Sequence, residues 1–169
     1  MVHPDVQVVD ENDQPIYGAP FDEVYAKGFH HRVVRISVED TTGRLLLQKR
    51  TKHLKLYPGC WDLAAAGHVD IGETYEVAAK RELYEELGIR SKLTEIGNFE
   101  VHRRYEHRII NRFNRVYKII INPKTKLIQH PDEVDELKWF TLPEVKRLIK
   151  DQPDMVADGL TEVIEHFYA

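Results

Sequence analysis

The chain has 169 residues, enough for one domain with a real core and too few to argue comfortably for two. Charged residues make up 31%, hydrophobic ones 42%, and the formal net charge is -4, which excludes nucleic-acid or anionic-membrane binding by overall charge and leaves any anionic partner to be met locally. The one cysteine, Cys60, can form no internal disulfide, the opening "MVHPDVQVVDENDQP" lacks the basic start and apolar stretch of a signal peptide, and no apolar run approaches membrane-spanning length, so a cytoplasmic protein is expected.

In chain order, "VQVVD" and "PIYG" flank the turn "ENDQ" and predict an N-terminal hairpin extension within residues 1–28. "HRVVRISVED" alternates like a strand, "TTGR" turns it, and "LLLQKR" returns, which predicts a hairpin over residues 31–50 at the centre of a sheet. A helix follows within "GHVDIGETYEVAAKRELYEELGI", with Gly88 as its stop. Strand-like runs cover 94–105 and 109–122, followed by the turn "NPKTK", the acidic loop "HPDEVDE" and the strand "LKWF". Thr141 and Glu144 open "TLPEVKRLIK" with capping-box spacing, and a C-terminal helix is expected over 153–169. Strands mixed with a few helices give an α/β or α+β layer fold.

The central helix poses a charge problem. Glu82, Glu85 and Glu86 fall within a roughly 100° arc, while Leu83, Leu87, Tyr84 and Val77 share another arc of about 120° that reads as the packing face. In the last turn each carboxylate is disfavoured by about 0.3–1 kcal/mol, and the Glu82/Glu86 pair at i,i+4 adds a few tenths more. A solvated acidic face is one reading. The other is a divalent cation site, where hard oxygen ligands repel one another until the ion arrives.

Gly67, Glu73, Arg81, Glu82, Leu83, Glu85, Glu86, Gly88 and Ile89 fit the pattern G-x5-E-x7-R-E-U-x-E-E-x-G-U without a mismatch. A chance match at a given position is on the order of one in a billion. The pattern is the Nudix box, and the chain resembles the Nudix superfamily over most of residues 31–149, with "LLLQKR", "YPGCWDLAAAGHV" and "DELKWFTLPEV" in the order seen there. The resemblance implies an α/β/α sandwich with a central mixed sheet, a single Nudix domain over 1–169, and Mg²⁺- or Mn²⁺-dependent hydrolysis of a nucleoside diphosphate linked to another group. It implies Glu82, Glu85, Glu86 and the Gly67 carbonyl as metal ligands, with Glu82 or Glu85 as the base on the attacking water. Glu73, Arg81 and Gly88 are implied to be structural, Glu73 and Arg81 as an internal ion pair. Glu133 or Glu136 would supply a further carboxylate, with Glu133 favoured, and Arg50 or Lys55 would contact phosphate. The expected partner is a phosphorylated small molecule derived from a nucleotide, with a homodimer also in view and no membrane or nucleic acid.

Within the superfamily, "HHRVVRI", "QKR", "YPGCWD" and "GHV" resemble the isopentenyl-diphosphate isomerase branch and its related hydrolases. The isomerases place a cysteine where this chain has Ala66, and an upstream histidine pair of which only His31 fits, the other position being Val24. Their later Glu-x-Glu falls on Phe113 and Arg115, and they commonly lose the glutamate that here is Glu82. These departures point to a hydrolase on an isomerase-like frame. His31 and His68 then read as hydrogen-bonded strand histidines and Cys60 as a small buried residue. Arg103, Arg104, His107, Arg108, Arg112 and Arg115 read as a solvated or subunit-facing surface rather than a grip on RNA or on a nucleotide's phosphates.

Overall fold

The structure is a computed structural model that describes residues 4–169; the first three residues of the expected N-terminal extension lie outside it. Nine strands, β1 (Val6–Val9), β2 (Pro15–Ala19), β3 (His30–Asp40), β4 (Leu45–Arg50), β5 (Trp61–Leu63), β6 (Ala65–His68), β7 (Thr94–Tyr105), β8 (Arg108–Ile121) and β9 (Val134–Phe140), form a mixed sheet. Its helices are α1 (Phe21–Lys27), α2 (Tyr75–Leu87), α3 (Leu142–Asp151) and α4 (Asp158–Phe167). Among the described residues, no helix is long and apolar enough to cross a membrane.

Strand β3 is the spine. Along one edge β8 runs parallel to it from the His30/Asn111 pair to the Asp40/Ile121 pair. The other edge is shared by β1 at His31, β6 from Val33 to Ile36 and β4 at Glu39. The expected 31–50 hairpin therefore pairs only near its turn, and β4 continues between β9 and β5. Alternation along β3 separates two layers. Val34, Ile36 and Val38 pack with Leu83 and Leu87 of α2, while the opposite face is closed by Tyr25 of α1, Val145 of α3 and Leu160, Val163 and Ile164 of α4. This is the α/β/α sandwich with a mixed sheet that the resemblance implied.

Helix ends follow local chemistry. Thr74 caps α2 by accepting from the Val77 amide at 3.2 Å, and Gly88 ends it in the left-handed region at φ 70°. The Thr141/Glu144 capping box is present on α3. The N-terminal turn is fastened to the start of α2: Asp13 accepts from Arg32 Nε at 2.6 Å and from the Tyr75 hydroxyl at 2.8 Å.

Four readings are corrected. The packing face of α2 consists of Tyr75, Ala78, Ala79, Glu82, Leu83, Glu86 and Leu87, whereas Val77 and Tyr84 are about half exposed. Ranking positions by apolarity selected the wrong side of Leu83, because the buried stripe is built from alanines and acids. The C-terminal region is a short 3-10 turn at Pro153–Met155 followed by α4, and α1 carries no pattern long enough to announce it. Val134–Glu136 of the acidic loop belong to β9. Arg112 is buried, with its Nη2 donating to Asp158 Oδ2 at 2.6 Å and both side chains 4% exposed.

That pair ties β8 to the first turn of α4, and removing one partner strands a buried charge. Asp158→Asn is expected to lower stability by about 3 kcal/mol, read by urea unfolding, against under about 1 kcal/mol for Glu162→Gln at the half-exposed Arg103 contact. Equal losses would show that the buried pair does not anchor α4.

Candidate active site

Strand β6 and helix α2 meet at a glycine. Gly67 faces α2, and a Cβ built there would lie 2.0 Å from Glu82 Oε1, so only glycine lets the helix approach. Glu82 and Glu86, one turn apart, are 8% and 4% exposed. Glu86 Oε2 accepts from the Ala66 amide at 3.0 Å and from Gln48 Nε2 at 3.2 Å. Gln48 is itself held by donation to the Ala64 carbonyl at 3.1 Å.

Arg81 braces the entry to this helix segment. Its Nε and Nη2 donate to the two oxygens of Glu73 at 2.9 and 2.8 Å, and Nη2 also reaches the His68 carbonyl at 3.0 Å. Glu73 in turn accepts from the Asp70 amide at 2.8 Å. The expected Glu73/Arg81 ion pair is thus present and locks the loop before α2 to β6. Arg81 Nη1 turns to Glu82 Oε1 at 2.8 Å and to Glu85 Oε2 at 3.2 Å, and Glu85 is about half exposed.

Burial, followed by repulsion from Glu85 and Glu133, pushes the Glu82 carboxyl up to about 8 against the attraction of Arg81. Burial and the charges of Glu82 and Glu133 push Glu86 well above the usual carboxylate range, opposed by the Ala66 amide and Arg50. Glu133 stands in the turn before β9 and bears on both, while Glu136 is exposed on β9 opposite Lys49. Arg50, at the end of β4, donates from Nε to the Leu56 carbonyl at 3.0 Å and lies near Asp62 and Glu86. Lys55 is directed elsewhere, paired with Asp22 at 2.7 Å and set over the Phe21 ring.

Among the described residues, no three His, Cys, Asp or Glu side chains converge as a ready-made metal cage; Glu82 and Glu85 face the guanidinium of Arg81. The donor chemistry nevertheless fits a hard divalent cation: all-oxygen carboxylates, two of them buried and mutually repelling, beside a glycine backbone.

Across the sheet, His31 Nδ1–H donates to the Phe29 carbonyl at 3.0 Å, which leaves Nε2 to accept from the Tyr25 hydroxyl at 3.2 Å. That hydroxyl accepts from His68 Nε2–H at 2.7 Å. Burial holds His31 down to about 3 and His68 well below its ordinary value, so both are neutral hydrogen-bonding groups, as their strand positions suggested. Cys60 is buried, with its thiol pushed up by burial and its Sγ 3.4 Å from the Asp154 carbonyl. Sequence reasoning missed Gln48 and Tyr25. A glutamine inside the apolar run "LLLQ" was a usable signal for the first; Tyr25 rides on the unannounced α1.

Comparison with known proteins agrees with this arrangement. Residues 29–159 match the NUDIX domain family. The chain is 34% identical over 166 residues to isopentenyl-diphosphate Delta-isomerase 2 of Photorhabdus laumondii, covering 93% of this chain and 88% of that one. It is 29% identical over 167 residues to an uncharacterized Nudix hydrolase of Nostoc, covering 97% and 95%. A crystal structure from Deinococcus radiodurans shares the fold with a TM-score of 0.81 at 21% identity, over 97% of this chain and 99% of the other. The chain belongs to the Nudix family.

Proposed function

We propose that the protein is a metal-dependent pyrophosphohydrolase that cleaves a diphosphate bond in a nucleoside diphosphate linked to another moiety, with the whole chain working as one Nudix unit. The observation that carries this reading is the buried Glu82/Glu86 pair beneath Gly67, which lacks sufficient positive charge of its own. Glu82, Glu85 and Glu86, the Gly67 carbonyl and Glu133 would hold Mg²⁺ or Mn²⁺. When bound, the cation supplies neutralisation of the diphosphate and polarisation at phosphorus.

The chain's own groups do the rest. Arg81, fixed by Glu73, holds α2 and β6 in register so that the carboxylates keep their spacing. Arg50 offers a guanidinium to a phosphate oxygen. Glu82 or Glu85 takes the proton of the attacking water as the new P–O bond forms, and the bridging P–O bond breaks to release two phosphate-bearing products. A panel of nucleoside diphosphates, sugar nucleotides, dinucleotides and prenyl diphosphates with Mg²⁺, read by phosphate or mononucleotide release, tests the proposal; no turnover on any of them would refute it and favour a nucleotide-sensing module.

The isomerase relative raises a rival reading, to which Ala66 and the inert surroundings of Cys60 are unfavourable. No conversion of isopentenyl to dimethylallyl diphosphate is expected, and Cys60→Ala should leave hydrolysis within about two-fold. Isomerisation that disappears in the Cys60→Ala protein would reverse the assignment.

Charge burial also has a stability signature. The folded value of Glu82, about 8, lies above its ordinary 4.5, so the stability linked to its protonated form is fully present below 4.5 and lost as pH rises through about 8. Metal-free melting temperature should fall over that window. Glu86→Gln should flatten the fall, raise metal-free stability at pH 8 by about 1 kcal/mol, and reduce turnover by about two orders of magnitude or more. A less stable but fully active Glu86→Gln protein would show that the glutamate serves the fold alone.

A further inference from the structure

The turn that carries Glu133 is fastened from outside, by residues just past the end of β4. Thr51, 3% exposed, donates its amide to the Glu133 carbonyl at 3.1 Å and its hydroxyl to the Asp132 carbonyl at 3.0 Å. His53 Nε2–H reaches the same Asp132 carbonyl at 2.8 Å. Immediately beyond, the β4/β9 register slips between Lys49 and Arg50, which leaves Asp135 as an extra residue in β9. Gln129 Nε2 ties that bulge by donating to the Val134 and Asp135 carbonyls at 2.8 and 2.9 Å. Bulges beside a site re-aim neighbouring side chains, and Glu133 directly precedes the bulged start of β9.

The same strand end also places a box carboxylate, since Gln48 on β4 donates to Glu86 Oε2. A single rail, residues 48–51, therefore sets Glu86 through Gln48 and the Glu133 turn through Thr51. Without the two donors on the Asp132 carbonyl, the turn keeps the Thr51 amide bond to the Glu133 carbonyl, the 3.4 Å contact from the Glu133 amide and the 3.0 Å bond from the Val134 amide to the His130 carbonyl. Its tip, however, loses the side-chain restraint that opposes movement of Glu133 away from a cluster of like charge. Repulsion among carboxylates drives such a departure, so the turn needs a restraint.

We infer that Thr51, seconded by His53, is a positioning residue: it holds the turn that carries Glu133 on the side of the sheet edge where Glu82 and Glu86 lie, an inference that rests on the hydrolase reading for its effect on turnover. The test compares Thr51→Val, which keeps shape and loses the hydroxyl, with Thr51→Ser, which keeps the hydroxyl, alone and in a Glu133→Gln background. Amide hydrogen exchange at Val134 should quicken about ten-fold in Thr51→Val, with α2 unchanged. Mn²⁺ affinity, measured by calorimetry without substrate, should weaken several-fold. With the substrate found by the panel, kcat should fall about ten-fold with KM within about two-fold, and Thr51→Ser should stay within about two-fold of the parent. In the Glu133→Gln background Thr51→Val should cost nothing further. Unchanged exchange, unchanged Mn²⁺ affinity, or an equal additional loss in that background would overturn the inference. If Thr51→Val does not fold, His53→Ala at the exposed end of the clip should show the same pattern at about a third of the size, and its absence would count equally against the inference. Should the parent protein hydrolyse nothing, the hydrolase reading falls, while exchange and Mn²⁺ affinity still decide whether Thr51 holds Glu133.

Discussion

Two carboxylates pressed under a strand that offers them only backbone and one amide side chain set the terms for everything around them. Glu82 is in contact with Gly67, and Glu86 is caught by the Ala66 amide and Gln48. Both lie near the C-terminal end of α2, where the helix dipole already disfavours negative charge. The surroundings answer with Arg81, itself saturated by Glu73 and the His68 carbonyl, and with the more distant field of Arg50. Those cations fix geometry without neutralising the pair, as the raised Glu82 and Glu86 show. A stability optimum would have placed apolar residues there; acids kept at such a cost mark that edge of the sheet as the place where the proposed chemistry would occur.

The two faces of β3 have been given different work. Toward α2 it shows valine and isoleucine, which seat the helix bearing the carboxylates. Toward α4 it shows His31, Arg35 and Ser37, each held by a specific partner: the Tyr25 hydroxyl, Asn114 Oδ1 and the Tyr168 hydroxyl. Arg35 is enclosed so closely that a Cβ on Gly159 would fall 1.8 Å from its Nη1. Buried polar groups of this kind confer little net stability, but leaving one unpaired is costly, so they fix how α1 and α4 seat on the sheet.

Legibility in the sequence followed the range of the interaction. The box could be read because its spacing is local: Glu73 and Arg81 meet across one loop and one helical turn, and Gly88 ends the helix by its own backbone freedom. The α2 face was misread because burial of Glu82 and Glu86 depends on Gly67 and Gln48, which only the folded sheet brings near. Arg112 looked like surface because its partner Asp158 lies 46 residues away. Helix α1, seven residues long, is held by tertiary packing of Val24 and Tyr25 rather than by any propensity of its own. Thr51 carries no motif at all; its meaning comes from the Asp132 carbonyl opposite.

The parallel pairing of β3 with β8 has a kinetic side. It joins residues 30–40 to residues 111–121, and the box, β4, β5 and β6 all lie inside the loop it closes. Such a pairing forms only after a large loss of chain entropy, and contacts of that sequence separation slow folding. The contacts that bury the carboxylates are far more local, since Gln48, Ala66, Gly67 and Arg81 meet Glu82 and Glu86 within residues 48–86, so the slow closure of the spine encloses a cluster whose own partners are near in the chain. The spine itself cannot be completed before synthesis has passed residue 121.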